Sequence, residues 1–146
     1  MKRLDISKLE PNAYKAMYGL ENYLLTTSLE KSHKELIKIR ASQINGCAFC
    51  LDMHTKDAIK LGETPQRIFL LNAWRETDLF SAEEKIILGL TEKITLISQG
   101  GVDDDLYKKA VDTFGESYVA QIIMACVAIN GWNRIAISTN LEVPKS

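Results

Sequence analysis

The chain has 146 residues, enough for one domain able to bury about two-thirds of its unfolded surface. Hydrophobic residues make up 46% and charged residues 25%, with 3 Pro and 8 Gly, a profile that excludes linkers and disordered tails. A formal charge of −1, with Lys and Arg scattered among Asp and Glu, excludes the basic field that nucleic-acid binding needs.

The opening residues Met1–Ile6 lack the apolar core and cleavage site of a secretory signal, so a cytoplasmic location is expected. Helical periodicity begins at once. Tyr14, Met17, Tyr18, Leu24 and Leu25 share a face, predicting a helix over 11–26. Thr27-Ser28-Leu29-Glu30 reads as a capping box that starts a second helix over 29–45, and Asn45-Gly46 reads as its stop. The next helix is expected over 48–61. Thr64-Pro65 starts another over 65–75, because proline at the first helical position loses no hydrogen bond. Ser81-Ala82-Glu83-Glu84 is a second capping box, opening a helix over 81–98 with Ile87, Leu90, Ile94 and Ile97 on one face. The segment Gln99-Gly100-Gly101 is a loop. Helices over 103–114, with Leu106, Ala110, Val111 and Phe114 aligned, and 116–138 complete an all-α, single-domain bundle of six to seven helices over residues 1–146.

The last helix is apolar around most of its circumference from Val119 to Ile129. That run is well short of the ~20 residues needed to cross a bilayer, so no membrane span is expected. A helix apolar on all sides needs burial on all sides, which predicts a homo-oligomer.

Three cysteines, two of them three apart, do not form a secreted disulfide framework; in a reducing compartment this spacing indicates redox or metal chemistry. With Gly46 closing one helix, Cys47 stands at the next helix entrance and Cys50 in its first turn. Free N–H groups and the positive end of the helix dipole favour the thiolate there. His54 projects from the same face as Cys50, four residues on, within reach for proton exchange. The two sulfurs are spaced for a disulfide: a thiolate attacking a peroxide becomes a sulfenic acid, and a neighbouring thiol condenses with it. The alternative is zinc held by two thiolates, an imidazole and a carboxylate, or a redox sensor without turnover. The lack of a second C-x-x-C or C-x-x-H pair weighs against zinc, and no cofactor is expected.

Glu35, Cys47, Cys50 and His54 stand at the spacings of the alkyl hydroperoxidase D-like branch of the carboxymuconolactone decarboxylase family, which the segment from residue 35 to 62 resembles. The resemblance implies an all-α fold assembling as trimers or hexamers. It also implies a thiol-dependent peroxidase or disulfide reductase that acts on a peroxide or other small oxidised substrate and is regenerated by an external thiol or dithiol donor. Carried onto this chain, Cys50 forms the sulfenic acid, Cys47 is proton donor and resolving partner, and Glu35 with His54 relays protons. Read without the resemblance, Glu35 is one of many helical acids and would be placed on the surface. One departure stands out: peroxidases of this branch carry a histidine where this chain has Phe49, which has no proton to transfer.

Elsewhere, Cys126 is expected in the core, His33 in solvent, and Trp74 and Trp132 in packing roles, Trp132 also being a candidate for the rim of a substrate entrance.

Overall fold

The computed structural model describes residues 3–145. Among these the secondary structure is helical, without strands: α1 (Ile6–Leu9), α2 (Pro11–Thr26), α3 (Lys31–Asn45), α4 (Ala48–Lys60), α5 (Pro65–Phe69), α6 (Ala82–Thr95), α7 (Asp104–Phe114) and α8 (Glu116–Thr139), with 3₁₀ segments at Leu71–Glu76 and Ile97–Gln99.

Local chemistry sets most boundaries. Thr64 accepts from the Arg67 N–H ahead of Pro65, and Ser81 with Glu84 forms a complete capping box. Gly46 closes α3 in the left-handed conformation (φ 71°), where a side chain would be strained. The box expected at Thr27–Glu30 does not form. The Thr27 hydroxyl donates instead to the Leu24 carbonyl and closes α2, Ser28 donates to Gln121, and α3 starts only at Lys31. Thr27 had a nearer carbonyl to satisfy than any amide of the following helix.

The helix expected over 65–75 also breaks, at Leu70, with Ala73 outside helical geometry. The break lets Leu71 (0% exposed) and Trp74 enter a core cluster with Leu36, Ile39 and Leu88, while Phe69 stays in solvent. Likewise α6 ends at Thr95, so Ile97 is exposed; and on α2 Leu24 is buried but its neighbour Leu25 is not.

Helix α3 is the centre of the bundle. It packs against α4, α6 and α8, turning Leu36 and Ile39 into one core cluster and Ile37 and Ala41 into the other, with Ile87, Leu90, Ile122 and Ile129. Burying each such aliphatic side chain contributes about 1.5–3 kcal/mol. Helix α8 is long and apolar enough, by length and composition, to cross a bilayer. Its apolar character has a use within the bundle: Val119, Ile122, Ala125, Cys126 and Ile129 are fully or almost fully buried against α3 and α6. The opposite side leaves Val127 and Ile137 exposed in the single chain.

His33 departs from expectation. It is buried, with Nδ1 2.7 Å from the Tyr118 hydroxyl and its ring edge-on to Phe114 and Tyr118, because the first turn of α3 docks onto the α7–α8 junction. Cys126 is a free, fully buried core cysteine, as expected, and burial pushes its thiol up to about 12. Trp74 packs as expected, while its indole N–H donates to Glu92 at 2.8 Å.

Candidate functional site

The site is built on the α3–Gly46–α4 corner. After Gly46 turns the chain, Cys47 caps α4, its sulfur accepting the Cys50 N–H at 3.3 Å. Cys47 and Cys50 are joined by a disulfide with Cα atoms 5.4 Å apart. Although they stand at a helix entrance, both cysteines are buried, at 1% and 2% exposure. The corner is covered because α4 crosses α3 and meets α8, and Cys50 lines a cavity of about 510 Å³.

Cys50 and His54 line that cavity together; Cys47 does not. Its walls are mainly apolar, with four aromatic side chains among them. Trp132 on α8 packs edge-on to Tyr14 (5.5 Å between ring centroids) and against Tyr18 of α2, with Phe49 and Met53 of α4 also lining the space. Trp132 thus packs as expected, and it lines the cavity.

His54 faces α3, and its Nδ1 lies 3.1 Å from Glu35 Oε2. Glu35 is 8% exposed, so the surface position that its sequence context indicated is wrong: α4 lies across it, and the imidazole replaces the water it loses. Glu35 also lines a second cavity of about 300 Å³, beside Glu63, Arg67 and Glu84. Of the four residues singled out in the sequence, the fold brings Cys47 to Cys50 and His54 to Glu35, with Cys50 and His54 on one cavity.

Asp57, one turn beyond His54, brings a second carboxylate to the pair, and ligand atoms of Glu35, His54 and Asp57 lie within 4.8 Å of one another. These are the residues able to hold a cation. With Cys47 and Cys50 joined, neither sulfur is a thiolate, and among the described residues the group whose ligand atoms converge is Glu35, His54 and Asp57.

Two features escaped the sequence reading. The first is a polar ladder that fixes the corner: Asn45 Nδ2 donates to Asn130 Oδ1 (3.0 Å) and Asn133 Oδ1 (2.9 Å), and Asn133 donates to Ser42 (3.0 Å). Asn133 and Ser42 are both wholly buried, so each needs the other. The second is an ion pair in the cavity, Lys38 Nζ to Glu21 Oε2 at 2.9 Å. A polar residue at a core position of an apolar helix, such as Asn133, was the only signal available.

The family profile described as "Carboxymuconolactone decarboxylase family" matches residues 11–93. A Bacillus subtilis (strain 168) protein, the uncharacterized protein YdfG, is 45% identical over 137 residues, covering 94% of this chain and 93% of that one. Among solved structures, ATU0492 from Agrobacterium tumefaciens, a protein of unknown function whose name proposes an antioxidant defence role as AhpD, superposes with a TM-score of 0.95. Its identity is 38%, and both chains are covered completely. An uncharacterized peroxidase-related protein from Silicibacter sp. TM1040 superposes with a TM-score of 0.77 at 26% identity, covering 94% of this chain and 71% of that one.

Proposed function

Since this chain belongs to the carboxymuconolactone decarboxylase family, with the alkyl hydroperoxidase D-like fold, we propose that it is a thiol-dependent peroxidase or disulfide oxidoreductase centred on Cys50. The observation that carries the reading is the shared cavity: Cys50 and His54 open onto the same space, and the partner cysteine stands behind, already within bonding distance.

In the reduced protein the Cys50 thiolate, favoured by its place in the first turn of α4, attacks the terminal oxygen of a hydroperoxide. The O–O bond breaks, Cys50 becomes a sulfenic acid, and the leaving alkoxide takes a proton from His54 to depart as an alcohol. Glu35 holds the imidazole in orientation and balances its charge when it is protonated. Cys47 then attacks the Cys50 sulfur, expelling water and forming the disulfide, and an external dithiol restores both thiols with two electrons. The aromatic walls, Phe49 included, suit an organic peroxide better than a small polar one.

The subunits are proposed to assemble as homo-trimers or homo-hexamers, with the exposed Val127 and Ile137 of α8 at the contact. Light scattering should give three or six chains, and Val127→Glu should lower that number; a monomeric wild type refutes the assembly.

A second reading, a metal-holding module without turnover, rests on Glu35, His54 and Asp57. One experiment separates the two. Free thiols are counted before and after one equivalent of cumene hydroperoxide, with mass spectrometry locating any new bond and elemental analysis run on the same sample. Loss of two thiols and a Cys47–Cys50 bond support the enzyme; unchanged thiols with stoichiometric metal support the module.

A further inference from the structure

The cavity beside Cys50 contains one charged pair among its aromatic walls. Lys38, 6% exposed, reaches from α3 to Glu21 of α2 at 2.9 Å. Both Glu21 oxygens are engaged, Oε2 by Lys38 and Oε1 by the Trp132 indole N–H at 3.1 Å. The ammonium is not equally satisfied. It carries three donors, and among the described residues Glu21 is its one protein acceptor.

A buried donor without an acceptor loses the hydrogen bond it made to water, so an apolar wall with spare ammonium N–H groups favours a ligand that brings an oxygen. Charge decides which kind of oxygen. The Lys38–Glu21 pair is neutral as a unit, and a carboxylate ligand would set a second anion near Glu21 in surroundings that screen poorly, with the Glu35 carboxyl behind His54. A hydrocarbon, in contrast, leaves the donors unanswered.

Resting on the reading that Cys50 meets its substrate in this cavity, we infer that Lys38 is a substrate-binding residue that donates to an oxygen of an uncharged organic molecule and selects it over both carboxylates and hydrocarbons. Glu21 holds the ammonium in place, and Trp132 holds Glu21.

Equilibrium binding tests this without any turnover, so absence of peroxidase activity and absence of this selectivity are separate results. Three probes of similar size are titrated calorimetrically into the full-length protein: 4-phenylbutan-2-one, 3-phenylpropanoate and propylbenzene. The ketone should bind about tenfold or more tighter than either other probe, and should slow maleimide alkylation of Cys50 in the reduced protein. Lys38→Met should remove the preference for the ketone. The double variant Lys38→Met/Glu21→Gln leaves no unpaired charge and keeps an acceptor for Trp132; it should show the same loss while folding normally by circular dichroism. A purely structural tie between α2 and α3 would lower the melting temperature and leave the preference unchanged. That outcome overturns the inference, as does wild-type protein that binds the carboxylate as tightly as the ketone, fails to bind the ketone, or binds it without protecting Cys50.

Discussion

His54 Nδ1 lies 3.1 Å from Glu35 Oε2, and both side chains are buried although they come from different helices, 19 residues apart in sequence. The contact ties the face of α4 that carries Cys50 to the centre of the bundle. It also joins two spaces: His54 lines the cavity beside Cys50, and Glu35 lines the smaller one beside Arg67. In the proposed reaction, a proton passed from Cys50 to the imidazole would have a carboxylate behind it.

Glu35→Gln keeps an acceptor for His54 but removes the charge that stabilises imidazolium. Peroxide consumption should fall by about a hundredfold. His54→Asn should cost a similar factor, and the double variant should be little worse than either single one, because the two act as a unit. Steady-state rates of all three variants check this; fully additive losses contradict a relay.

Cys50→Ser should abolish peroxide consumption, since the attacking sulfur is gone. Cys47→Ser should still react once and stop at a sulfenic acid, trapped by dimedone and located on Cys50 by mass spectrometry. Dimedone on residue 47 in the complementary variant would reverse the assignment of the two cysteines.

Cys126 has no exposed surface, its sulfur is 3.8 Å from the Thr91 hydroxyl, and burial raises its thiol to about 12. It should remain protonated at pH 8 and take no part in exchange. A thiol count on the reduced native protein should therefore give two reactive groups and reach three only in denaturant. Three under native conditions would contradict the packing around α8.

Glu92 accepts from Arg40 at 2.9 Å, Trp74 at 2.8 Å and Arg75 at 2.7 Å, joining α6 to α3 and to the 3₁₀ segment. Burial alone would push its carboxyl up; the hydrogen bonds from Trp74, Arg75 and Arg40 outweigh that and hold it below the usual carboxylate range. A group lowered in the folded state stabilises above its unfolded value, about 4.3, and loses that contribution as pH falls through the folded value. Glu92→Gln should thus cost about 1.5–3 kcal/mol at pH 7, with the gap to wild type closing as the solution is acidified below pH 4. Melting curves at pH 7 and pH 3 test it: an equal gap at both would show that the charge contributes nothing.

The local part of this protein can be read from its residues one after another. Gly46, Cys47, Cys50 and His54 lie within nine positions, so a helix start and a four-residue repeat suffice to put sulfur and imidazole on one face. Thr64-Pro65 and Ser81–Glu84 cap helices for equally local reasons. Even at short range there is competition, and at Thr27 the nearer carbonyl won over the expected cap.

What periodicity does not state is which helix face meets which. Glu35 was identifiable through family spacing alone and Asn133, which docks on Ser42, only as a polar residue in an apolar helix, whereas Glu21 beside Lys38 and His33 on Tyr118 had no mark at all. Each depends on the docking of separate helices, across 17 to 91 residues of chain. The order of residues therefore determined the helices and the turn that carries the cysteines; the packing of α2, α4 and α8 around α3 decided the depth of the cysteines, the cavity beside Cys50 and the partners of the buried charges. The physical reason is that a helix specifies its own hydrogen bonds within four residues, while a buried polar group is satisfied only by whatever the tertiary packing sets against it.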